Sequence, residues 1–155
     1  MITNRFLLGL VLLAGCQTDK GFDKEATRES MRNLVLSYIA AVESMNVDAV
    51  NDKFYDDPEF HIYSDGADLN LAQMKDEVRK NYFRGMKKIE TKYDTMNIHV
   101  FTPDEAHCFM KLTEVLTDST GQVNLIDVDV TFSGVRTSKG WKLDYAHAFH
   151  KPREK

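Results

Sequence analysis

The sequence predicts a single α+β domain in which helices come first and cover one face of an antiparallel sheet. Three observations carry this. Apolar residues recur at intervals of three and four in the first half of the chain, apolar and polar residues alternate one by one in the second half, and turn-forming residues separate the alternating stretches. Composition agrees: 155 residues, 43% hydrophobic and 28% charged, with only 8 Gly and 3 Pro, suit one ordinary core. The formal charge of -4 comes without any Lys/Arg cluster, so nucleic acid is excluded as an expected partner.

The elements follow in order. Met1 to Arg5 carries one cation, and the apolar run Phe6 to Gly15 has about half the ~20 residues needed to span a bilayer, which is the length of a signal-peptide core. It ends in Leu13-Ala14-Gly15-Cys16, which resembles the bacterial lipobox. That resemblance implies cleavage after residue 15 and a lipidated Cys16, with several acyl chains because one alone holds only marginally. An ordinary signal peptide or an uncleaved anchor is the alternative. The implied address is the bacterial cell envelope, with the membrane as partner through lipid on Cys16. Gln17, in place of the Asp that marks inner-membrane retention where that sorting rule operates, favours the outer membrane facing the periplasm. The only other cysteine is Cys108, so a lipidated Cys16 leaves no internal disulfide, and the apolar neighbours of Cys108 read as plain packing.

Residues 16–22 then form the lipidated Cys and a polar tether, residues 23–151 the domain, and residues 152–155 a polar tail. Asp23 is placed to cap a long helix whose Met31, Leu34, Val35, Tyr38, Ile39, Val42 and Met45 share one stripe. After a break at Asn46, Val47, Val50 and Phe54 give a second short helix ending before Pro58. Phe60 to Tyr63 reads as a strand, Ser64-Asp65-Gly66 as a turn, and Asn70 to Gln73 as a capping box opening a third helix that Gly85 stops. From Lys87 onward four strands follow. Keeping apolar opposite apolar pairs Ile98 with Cys108, Leu112 with Val128, and Val130 with His147.

This order of elements, with Tyr38-Ile-Ala-Ala-Val, Val47-Asp-Ala-Val, Phe54-Tyr-Asp-Asp57 and the strand Trp141-x-Leu-x-Tyr-x-His147, resembles the nuclear-transport-factor-2-like cone. That group includes the SnoaL-like polyketide cyclases and the ketosteroid isomerases. The resemblance covers roughly Asp23 to Phe149. It implies a cystatin-like, cone-shaped curved sheet packed against the N-terminal helices, its interior a pocket. With the faces assigned above, the pocket wall contains Tyr38, Ile62, Phe132, Tyr145 and His147, and the expected ligand is a small apolar or aromatic molecule.

Chemistry is harder to place. Tyr38 matches the position of the isomerase tyrosine, but the position of the isomerase base falls on Ile62 or Tyr63. Asp127 and Asp129 turn outward on the chosen register, with Asp129 beside Lys111 on the outer face. Glu114 is the one acid of inward parity, and it stands about 13 Å from His147 at strand rise, too far for a dyad. His147 and His150 lie on opposite faces, and His99 faces His107 with no third ligand, so no metal and no cofactor are expected. The leading expectation is a lipid-anchored small-molecule-binding module. One alternative is a cyclase, isomerase or dehydratase using His147 and Tyr38. Another is an envelope interaction module, or a homodimer through an outer sheet face of His99, Phe109, Lys111, Asp129 and His150.

Overall fold

A computed structural model of the chain describes residues 21–153; Cys16 and the segment expected to be a signal peptide lie outside the described residues. Helix α1 (Lys24–Glu43) starts where the Asp23 carboxylate accepts from the amides of Glu25 and Ala26, both at 3.0 Å. Its buried stripe of Met31, Leu34, Val35 and Val42 lies on the sheet. Asn46 caps the short α2 (Val47–Asn51), and Asn70 with Gln73 forms a reciprocal capping box at α3 (Leu71–Glu77). Past Glu77 the helix widens into one π turn, Val78–Tyr82, which swings Tyr82 toward the interior.

The sheet has six strands: β1 (His61–Ser64), β2 (Ala67–Asn70), β3 (Met86–Thr102), β4 (Glu105–Asp118), β5 (Val123–Thr137) and β6 (Gly140–Pro152). Their order is β2-β1-β6-β5-β4-β3. All neighbours are antiparallel except β1 and β6, which run parallel. The four long strands are bent by register shifts in β3 and between β5 and β6, so the sheet curls around the helices. Where α1 crosses β5, Gly134 lets the helix sit close. A Cβ there would come within 2.5 Å of the Met31 sulfur. Cys108 is fully buried in this layer, its thiol pushed up to about 11 by burial, and behaves as a packing residue.

The first two expected strand pairings, Ile98 with Cys108 and Leu112 with Val128, are present. The third is not: Val130 pairs with Ala148, and His147 stands opposite Thr131. Ser133 faces Tyr145 while the next residue, Gly134, faces Leu143, so Asp144 is one extra residue in β6 and parity reverses there. Leu143 is buried inside as expected. Beyond the bulge Ala146, Ala148 and His150 turn inward, and Tyr145, His147 and Phe149 turn outward.

Candidate functional site

Between α1, α3 and the inner sheet face lies a cavity of about 290 Å³. Tyr38, Ile62 and Phe132 line it. The Tyr38 ring packs edge-on against Phe132, centroids 5.4 Å apart, which fixes the phenol from below. Tyr145 and His147 do not line it. The reversed parity carries them to the outer face, where His147 packs against Phe149 at 4.6 Å and Tyr63 at 6.0 Å. His150, expected outside, takes the inward place.

His150 arrives with a partner. The two-residue turn Asp65-Gly66 joins β1 to β2 with φ of 51° and 88°, the positive values a tight hairpin of this type demands. Because β1 runs parallel beside β6, the turn hangs over the end of β6, and the Asp65 amide donates to the Ala148 carbonyl at 3.2 Å. The carboxylate is then held twice. The His150 amide donates to Oδ1 and the His150 ring Nδ1 lies against Oδ2, each at 2.8 Å. Burial works against the Asp65 charge, but the His150 amide, the His150 ring and the Ser64 hydroxyl together hold its carboxyl below the usual range. An ionised carboxylate can only accept, so Nδ1 carries a proton, and in the neutral ring the lone pair is then on Nε2.

Three further polar groups come from β4, α1 and the π turn: Glu114, Tyr38 and Tyr82. Glu114, on β4, accepts from the Tyr82 hydroxyl at 3.5 Å. Burial raises its carboxyl above the ordinary value, against the opposing pull of His150 and Tyr82. Tyr38 and Tyr82 are both pushed far upward, first by burial, so each phenol stays a proton donor. The inward parity of Glu114 was readable from the sequence. The sequence points to Asp65 only as a turn residue and to His150 only as an outer-face one: the Asp-Gly dipeptide marks a turn, but nothing in it says which strand the turn overhangs. Among the described residues no group of three or more His, Cys, Asp or Glu is arranged to hold a metal. His99 and His107 do face each other across β3 and β4, each packed on Phe101.

A SnoaL-like domain is matched over residues 31–148. Among solved structures, a nuclear-transport-factor-2-like superfamily protein from Salmonella enterica superposes with a TM-score of 0.73 at 14% identity, over 86% of this chain and 95% of that one. A type 3 hexachlorocyclohexane dehydrochlorinase from Novosphingobium barchaimii gives 0.68 at 13%, over 83% and 91%. A protein described as a candidate dehydratase of the same fold family, from Streptomyces avermitilis, gives 0.69 at 13%, over 86% and 100%. At these identities the likenesses establish the fold. No curated protein matches the chain significantly.

Proposed function

Because the chain belongs to the SnoaL-like domain family, we propose that it is an acid–base enzyme that removes a proton from carbon in a small, largely apolar substrate, as in an elimination or isomerisation. The observation that carries this is the Asp65–His150 pair at the wall of an apolar cavity. Nε2 of His150 takes the proton, and the electron pair left on carbon forms the new double bond. In an elimination the leaving group departs with its own bonding pair; in an isomerisation the charge moves onto a carbonyl oxygen, and the His150 imidazolium returns the proton at another carbon as the carbonyl re-forms. Asp65 fixes the tautomer and stabilises the imidazolium that results. Tyr38 supplies a hydrogen bond to the developing negative charge from a water-poor wall, where it is worth more than in solution. The names of two structural neighbours, a dehydrochlorinase and a candidate dehydratase, describe eliminations of this kind.

Solvent exchange tests the reading before any natural substrate is known. A panel of small ketones, secondary alcohols and alkyl halides is incubated with the protein in deuterated water and followed by mass spectrometry. Catalysed exchange or elimination is expected with the parent chain, falling by about 10²- to 10⁴-fold in His150→Ala and unchanged in His147→Ala. Equal rates in parent and His150→Ala, or no catalysis with stabilisation by apolar ligands alone, would leave a binding module instead.

The proposal also places the domain on the bacterial cell envelope, outer membrane favoured, through lipid on Cys16. The Leu13-Ala14-Gly15-Cys16 motif supports it. Metabolic labelling with a palmitate analogue should mark the parent chain and not Cys16→Ala. The partner proposed for the outer sheet face is a second copy of the chain, supported by the half-exposed aromatics Tyr63, Phe109 and Phe149.

A further inference from the structure

The half-buried carboxyl of Glu114 has no part in the proton transfer described above, yet it lines the same cavity as His150, from the same inner sheet face two strands away. Among the described residues its one hydrogen-bonding partner is the Tyr82 hydroxyl, at a long 3.5 Å. Asp65 and Glu77 also line the cavity, and neither Lys nor Arg does. Asp65 is spent on His150, and Glu77 is partnered by the Asn81 side chain at 2.8 Å. Glu114 is thus the acid with spare acceptor capacity, near Tyr38 and Tyr82 in a pocket whose remaining lining is mostly apolar, with Ser64, Thr91 and His150 its other polar members. A carboxylate and two tyrosine rings in a low-dielectric cavity are what an ammonium group uses: a charge-assisted hydrogen bond and cation–π contact together. An anionic substrate would meet like charge from Glu114 and Asp65, with neither Lys nor Arg in the lining to offset it.

From this we infer that the cavity takes an apolar amine, its ammonium group on Glu114 between Tyr38 and Tyr82 and its hydrocarbon toward His150. This assignment rests on the same pocket as the proposed proton transfer and names its substrate class.

Isothermal titration with three probes of matched skeleton tests it: 2-phenylethylamine, 2-phenylethanol and phenylacetate. The amine is expected to bind on the order of tenfold more tightly than the alcohol, the strength of one charge-assisted hydrogen bond, and phenylacetate not at all. Glu114→Gln, which keeps the volume and an acceptor for Tyr82, should bring amine and alcohol level. Glu114→Asp, which keeps the charge but withdraws it by one methylene, should retain part of the preference. His150→Ala should keep the preference for amine over alcohol while exchange falls by about 10²- to 10⁴-fold, so loss of catalysis and loss of amine selectivity are read separately. An amine-to-alcohol ratio near one in the parent chain, an unchanged ratio in Glu114→Gln, or undetectable amine binding overturns the assignment.

Discussion

Asp65 serves two purposes that different substitutions separate. Its φ of 51° is a turn requirement that Asn meets as well as Asp, while its charge is what orients the His150 ring. Asp65→Asn should therefore keep the hairpin and the melting temperature close to the parent's, but lose the fixed Nδ1–H tautomer. Nitrogen NMR of the His150 ring reads this directly, as one protonated Nδ1 in the parent and a mixture in the variant. Asp65→Ala should lose the tautomer and also destabilise the fold, by about 1 kcal/mol for a side chain that strains the left-handed backbone. Glu114 gives a pH signature of known sign. Its folded carboxyl is raised above the usual value, so the folded chain holds that proton more strongly than the unfolded one. Stability is lost as pH climbs from the ordinary carboxylate range through the raised folded value, because burying the ionised form is unfavourable. Glu114→Gln should be more stable than the parent at neutral pH, with the gap closing as pH falls to about 4. Thermal melts across that range check it, and a gap that widens in acid would contradict the assignment.

At the scale of elements, the contact between α1 and β5 sets how deep the cone can be. Gly134 admits the fully buried Met31 side chain, whose sulfur would have to shift to make room for a methyl, so Gly134→Ala should cost about 1 kcal/mol in urea unfolding. Met31→Ala alone opens a void, and combining the two should cost less than their sum, since the new methyl enters the space the sulfur left. The α1 cap, its stripe and the reciprocal cap of α3 were all legible in the sequence because each is a local pattern acting over three or four residues. So were the β3–β4 and β4–β5 registers, where apolar residues mark the inner face. The last strand was not legible beyond Leu143. Its odd positions hold Tyr145, His147 and Phe149, large and ring-bearing, whereas the inner positions hold Ala146 and Ala148, which are small because the cavity lies there. Alternation therefore points to the wrong face when the outer surface is the more aromatic one, and a one-residue bulge at Asp144 carries no side-chain signature of its own. The site followed the bulge: His147 was read where His150 stands, and the carboxylate that belongs to it was read as a plain turn.

At the scale of the whole molecule, that same reversal dresses the outer sheet face. Phe109, Thr131, His147 and Tyr63 stand in one row across β4, β5, β6 and β1, and the next row places Phe149 beside the exposed Asp129–Lys111 pair at 3.8 Å. Phe149 is the most open of the exposed large apolar residues among those described, at 56%. An aromatic row flanked by one acid and one base is self-complementary: turned about a two-fold axis, Lys111 of each copy can meet Asp129 of the other while the rings close between them. The Lys111–Asp129 pair is worth little while solvated, so exchanging its partner across copies costs little. Association would leave the cavity untouched, since it opens on the other side of the sheet. The domain of residues 21–153 should therefore sediment as a dimer at tens of micromolar, with a weight falling toward the monomer as it is diluted. Phe149→Glu should leave a monomer at every concentration, with the melting temperature of the cavity-bearing core and the affinity for 2-phenylethylamine unchanged. A parent chain that stays monomeric under these conditions would mean that the aromatic row meets something other than its own kind.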